Sequence, residues 1–275
     1  MALVFTDEEK DKILVLRNRV QDKLYKEEYK SDHYLIRWLQ ARSLNVDQAE
    51  EMLIKSLEWR KENNVDGIEE REQIPEKYKP MYPFAICGHD SEGAPMLIFP
   101  VGRQDSLALL EQESVDTIVR YNIILMETIC ALMRKNSQLV GKPVYQFNEI
   151  LDLEGLDYNR VTSRKFIEMM MKIQKIFNDN YPEMFKKVLA VNAPKVFAIF
   201  FQVMKPIVPK ATLDKIDIYG PDKDQWKAAL NESGFPLELI PPYWGGTRKG
   251  TDDLCSQSDI WYNGKLDLHY FNVGE

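Results

Sequence analysis

The chain has 275 residues, of which 44% are hydrophobic and 29% charged, with a formal net charge of −7. That is an ordinary globular composition, long enough to bury a sizeable core. The acidic balance excludes a general nucleic-acid binder, because phosphate contacts need clustered Lys and Arg.

Thr6 followed by Glu9 predicts a capping box at the start of a first helix, and Leu14, Leu16, Val20 and Leu24 recur at roughly helical spacing along it. A second helix is predicted over 34–41. A third starts near Asp47 as N-cap and carries Met52, Leu53, Leu57 and Trp59. Residues 1–70 therefore form a helical unit, with Gly67 in the turn that closes it. Pro75, Pro80 and Pro83 predict a linker over 70–83.

From residue 84 the texture changes. Residues 84–87 and 96–101 predict two strands of a hairpin around a polar turn. A long amphipathic helix follows over 115–133, then a strand over 144–151 that ends at Asp152-Leu153-Glu154-Gly155. Phe166, Met170, Ile173 and Phe177 mark another helix. A strand over 188–191, a helix over 194–204, a strand over 216–219 and short helices near 223–231 and 236–239 complete the alternation. Strands alternating with helices predict an α/β fold with a mixed, mainly parallel sheet over 71–247. A C-terminal tail over 248–275, with Trp261, Tyr262, Tyr270 and Phe271, either packs back as a strand or stays mobile.

Cys87, Cys130 and Cys255 are odd in number and widely spaced, which fits a reducing compartment better than a disulfide framework. The N-terminus has too few apolar residues for a signal-peptide core. No run reaches the roughly 18 apolar residues of a membrane span. The expectation is a soluble, cytoplasmic protein.

Enzyme signatures are missing from the sequence. It holds no Gly-x-Ser-x-Gly elbow and no phosphate loop. Cys87-Gly88-His89 lacks partners at metal spacing, and His33 and His269 lie far from it. Asp152, Glu154 and Asp157 follow a strand, where α/β active sites often lie, but a solvated loop with helix caps explains them as well. The expectation is a protein that is not an enzyme, with no catalytic residue, metal or cofactor.

Residues 186–215 stand apart. Lys186, Lys187, Lys195, Lys205, Lys210 and Lys215 face a single acid, Asp214. The same stretch holds Phe197, Ile199, Phe200, Phe201, Val203, Met204, Ile207 and Val208, so the predicted helix is apolar almost all round. Such a helix is buried in a core or faces something apolar, such as a ligand inside and a membrane outside. Lysines at its edges would then meet anionic headgroups. Lys205-Pro206 supplies a stop and a hinge-like break. Met126, Met133, Met184, Met204 and the run Met169-Met170-Met171 suit a shape-tolerant interior.

The segment Leu35-Ile36-Arg37-Trp38-Leu39-Gln40-Ala41-Arg42, followed by Asp47 and Trp59-Arg60, resembles the N-terminal helical region of CRAL-TRIO lipid-transfer proteins. Asn180-Tyr181-Pro182-Glu183, Val191-Asn192-Ala193-Pro194, Lys205-Pro206, Lys215-Ile216, Leu239-Ile240-Pro241 and Trp244-Gly245-Gly246 continue the resemblance in order over about residues 30–247. It is nearest to the tocopherol-associated or supernatant protein factor group, and retinal-binding members are also similar.

The resemblance implies a sheet floor walled by helices around one hydrophobic ligand, and a gate helix near 195–209 that opens at membranes. The ligand would be a tocopherol, retinoid, carotenoid, squalene or phospholipid. The lining candidates are Phe147, Leu151, Met170, Ile173, Phe177, Phe197, Phe200, Phe201, Met204 and Ile207, and Phe200→Asp is expected to impair docking while the protein stays folded. Headgroup candidates matching phosphatidylinositol carriers are Arg42, Glu183, Thr212 and Lys215, although Ser43 stands where fungal-type carriers have a basic residue. Partners are a lipid and, transiently, a membrane surface, without nucleic acid. A second reading is a lipid-regulated interaction module with phosphatidylinositol as its ligand.

Overall fold

A computed structural model describes residues 5–248. The helical unit opens with α1 (Asp7–Val20), whose N-cap Thr6 and Glu9 form the expected reciprocal capping box. It continues with α2 (Asp32–Gln40) and α3 (Val46–Glu62). The cap of α3 is Asn45, whose side chain accepts from the Gln48 amide, so Asp47 sits inside the first turn instead. Leu16, Val20, Leu35, Ile36, Leu39, Ala49 and Leu53 are fully buried among these three helices. Gly67 adopts φ +72° before α4 (Ile68–Arg71), a left-handed conformation that glycine takes without penalty.

The expected linker over 70–83 is packed chain. It holds a 3₁₀ turn over Glu76–Met81, and Ile74, Tyr78 and Tyr82 are buried in the main core. Proline punctuates this stretch, but its aromatic residues anchor it.

The sheet begins with the antiparallel pair β1 (Ala85–His89) and β2 (Pro95–Phe99). Next come α5 (Ser106–Gln112), which the sequence did not announce, and α6 (Val115–Val140), which runs two turns beyond the predicted end and stops at Gly141. β3 (Phe147–Asp152), α7 (Tyr158–Thr162), α8 (Arg164–Asn180), β4 (Phe185–Val191), α9 (Phe197–Met204), α10 (Lys210–Leu213), β5 (Ile216–Ile218) and α11 (Lys223–Glu232) complete the order. The five strands lie in sequence order, β2 through β5 parallel, as the α/β pattern predicts.

The two faces of the sheet do different work because side chains alternate along each strand. Ile150 of β3 and Leu189 and Val191 of β4 point to a back layer of Trp226, Leu230, Ile240 and Trp244. Phe147, Glu149 and Leu151 point the other way, toward α6 and α8. Past the end of β2 the chain approaches the end of β3 so closely that a Cβ on Gly102 would lie 2.0 Å from the Glu154 carbonyl oxygen. Arg160 binds these loops together, donating to the carbonyls of Val101, Gly102, Gln104 and Gly155 at 2.5–2.9 Å.

Candidate lipid cavity and gate

Between the sheet, α6 and α8 lies a cavity of about 230 Å³. Leu97 and Phe99 come from β2; Phe147, Glu149 and Leu151 from β3. Leu125, Met126 and Ile129 come from one face of α6, and Phe166, Met169, Met170, Ile173 and Phe177 from the inner face of α8. The helices present these rows because residues three and four apart share a face. Five of the lining candidates, Phe147, Leu151, Met170, Ile173 and Phe177, do line it.

The other five belong to the layer outside. Phe200 packs on Phe166 with ring centroids 5.6 Å apart, Phe197 stacks on Phe201 at 5.5 Å, and Met204 is buried. Ile207 lies in a surface groove along α8, and Asn178 Nδ2 donates to its carbonyl at 2.6 Å. Phe200 therefore points inward but is half-buried, and Phe200→Asp would set a charge against the apolar side chains it packs on. The outward side of α9 carries Ile199, 43% exposed, and Val203, 40% exposed.

Glu149 was not singled out by the sequence reading. It is the one acidic side chain lining the cavity, and no Lys, Arg or His among the described residues lines it. Burial pushes its carboxyl up to about 7 with no cation to offset it. Alternation along β3 places it between Phe147 and Leu151, which is the signal that could have found it. Nearby, Tyr82 donates to Asn122 Oδ1 at 2.5 Å, so those two polar groups satisfy each other.

The four headgroup candidates do not form one cluster. Lys215 Nζ meets Glu183 Oε2 at 2.6 Å. Thr212 is in the cavity wall, whereas Arg42 lines a separate pocket with Lys55 and Lys175. Glu183 sits at φ +59°, uncommon for a non-glycine residue. Its turn is held from two sides: Arg37 Nε donates to the Pro182 carbonyl at 2.8 Å, and Gln146 Nε2 to the Glu183 carbonyl at 3.1 Å. Lys215→Ala should cost about 1–3 kcal/mol in a urea titration by leaving a largely buried carboxylate unpaired. Adding Glu183→Gln should recover most of it; additive losses would show that the two side chains do not act as a pair.

The lysine cluster is partly spoken for. Lys186 pairs with Asp90 and Glu92, and Lys187 with Asp217. Lys195 and Lys205, at the two ends of α9, are exposed and enter no ion pair among the described residues. The carboxylates after β3 are likewise engaged. Asp152 accepts from Asn192 Nδ2 and Trp244 Nε1, Glu154 binds Arg103 and Tyr243, and Asp157 caps α7.

The family model for the CRAL/TRIO domain matches residues 79–246. The chain belongs to the CRAL/TRIO family. Protein real-time of Aedes aegypti is 28% identical over 240 residues, covering 87% of this chain and 37% of that protein. Protein real-time of Drosophila pseudoobscura pseudoobscura is 30% identical over 241 residues, covering 88% and 36%. The chain thus spans little more than a third of these relatives. A solved structure described as the crystal structure of Sfh5 superposes with a TM-score of 0.70 at 19% identity, over 95% of this chain and 94% of that one, which shows the shared fold. CRAL/TRIO domains in general bind or transfer lipids, and the cavity between sheet and helices suits a lipophilic small molecule. Placement in the tocopherol-associated group rests on the sequence motifs alone. Among the described residues no helix is long and apolar enough to cross a membrane.

Proposed function

We propose that this CRAL/TRIO chain carries one uncharged lipid in the cavity and exchanges it at membranes by displacement of α9. The observation that supports this best is the cavity lining: mostly apolar, with a few uncharged polar side chains (Tyr82, Gln104, Asn122, Gln174, Thr212), a single acid and, among the described residues, no basic side chain. A phosphate buried there would meet Glu149 without a counter-cation, so the lining favours a neutral lipid such as a tocopherol, retinoid, carotenoid or squalene. At about 230 Å³ the cavity also lies below the roughly 300–1,000 Å³ of common ligand sites, which favours a compact occupant or one that enters as α9 shifts.

Membrane contact would fall to the outward face of α9. Ile199 and Val203 would enter the bilayer surface while Lys195 and Lys205 meet anionic headgroups. Burying each apolar side chain is worth about 1.5–3 kcal/mol. The double variant Ile199→Asp/Val203→Asp should fold normally and move a fluorescent retinoid or tocopherol between vesicles more than tenfold slower. A normal rate would remove α9 from the docking step. The interaction-module reading makes a different forecast: a lipid that co-purifies and never exchanges, whatever stands at 199 and 203.

A further inference from the structure

A second cavity, of about 610 Å³, lies on the opposite side of α6, bounded by α2, the 141–145 turn and the end of α8. It shares no lining residue with the lipid cavity. The helix serves both: Asn122, Leu125, Met126 and Ile129 face the lipid cavity, whereas Glu127, Cys130, Met133, Arg134 and Ser137 face this one.

Its cations are unequally partnered. Arg37, Arg60, Arg134 and Lys142 line it with Glu28 and Glu127, while Asp66 and Glu69 stand against Arg60 and Arg134 from outside the lining. Two of the cations are neutralised: Arg60 by Glu127 at 2.8 and 2.9 Å, and Arg134 by Glu69 at 3.2 Å and Glu28 at 3.5 Å. The other two are not. Arg37 is only 9% exposed, yet among the described residues its one hydrogen-bond partner is the Pro182 carbonyl at Nε. Its guanidinium carbon stands 5.8 Å from the Tyr34 ring centroid, the side chain lines the cavity, and its terminal nitrogens have no acceptor among the described residues. Lys142 is half-buried and enters no ion pair or hydrogen bond among the described residues. A buried guanidinium stays charged, and its planar fork matches an oxyanion.

We infer that this cavity is a second ligand site, built for a phosphate monoester that draws on Arg37 and Lys142. A dianionic phosphate balances both free cations, whereas a carboxylate would leave one uncompensated. The phosphate can belong to a small soluble ester or to a lipid headgroup at a membrane surface.

Calorimetric titration with inorganic phosphate, against chloride at matched ionic strength, is expected to show saturable binding of one ion per chain. Lys142→Gln, at the cavity rim, should weaken it at least tenfold, and Arg37→Gln should abolish it. Because Arg37 also holds the Pro182 turn, loading of retinol into the lipid cavity is measured alongside and should persist in Lys142→Gln. Glycerol 3-phosphate binding as tightly to free protein as phosphatidic acid vesicles do assigns a soluble ester, and vesicle binding that is tighter and lost in Lys142→Gln assigns a headgroup. No saturable phosphate binding, or unchanged affinity in both variants, overturns the site.

Discussion

Arg60→Met should destabilise the protein by about 3–5 kcal/mol in a urea titration at pH 7, because it strands a buried carboxylate. Arg60, on α3, reaches across to α6 and grips both oxygens of Glu127, while its Nε donates to Asp66 at 2.8 Å. The side chains of Arg60 and Glu127 are 9% and 3% exposed. Tyr181 also donates to Glu127, at 2.6 Å, so the carboxylate joins α3, α6 and the end of α8. Burial alone would raise Asp66, yet Arg60 holds it down at about 2. Replacing Glu127 as well, as Arg60→Met/Glu127→Gln, removes the stranded charge and keeps an acceptor for Tyr181. The double variant should recover more than half of the loss. Equal losses in single and double variants would mean that Arg60 acts through packing rather than charge.

Glu149→Gln is expected to abolish a pH dependence of both stability and lipid affinity. The carboxyl moves from an ordinary value of 4.5 to about 7 on folding. The folded chain therefore binds more protons between those values. Stability is greatest below about pH 4.5 with respect to this group, falls as pH rises toward 7, and is level above. At about 1.4 kcal/mol per unit the swing is roughly 3–4 kcal/mol. An apolar ligand that displaces water from the cavity disfavours the ionised form further, so affinity for retinol should drop about tenfold per unit above pH 7. Unfolding and retinol titrations at pH 5, 7 and 8 measure both effects. A wild-type profile as flat as that of Glu149→Gln would show that the carboxyl stays solvated.

The sheet, its parallel order and the long helices were legible because period-two and period-3.6 patterns are strong in β3, α6 and α8. The Glu183–Lys215 pair was legible through its motif, since residues 32 apart carry no local signal of contact. Other features were hidden for physical reasons. Tyr78 and Tyr82 turned a proline-rich stretch into core, which composition cannot show. The inward aim of Phe200 depends on how α9 rotates, and a helix apolar all round gives no preferred face. Arg37 lies in a run where Leu35, Ile36, Trp38 and Leu39 are all buried, so its isolation emerges only when its neighbours' partners are known. Most of the expected tail, over 249–275, lies outside the described residues.

The two ends of α9 are fastened unequally. Ahead of it, the Ala193 amide donates to the Tyr219 carbonyl at 3.0 Å, extending the sheet's own ladder toward the helix. Behind it, the hold on Ile207 is the Asn178 side chain, a bond worth about 1 kcal/mol net. If α9 is the gate proposed above, a door fastened this way would swing from its weaker edge, with Ala193-Pro194 as the pivot and Asn178 as the catch. Its opening frequency would then be set at residue 178, outside the cavity, so release could be tuned there without altering which lipid the interior accepts.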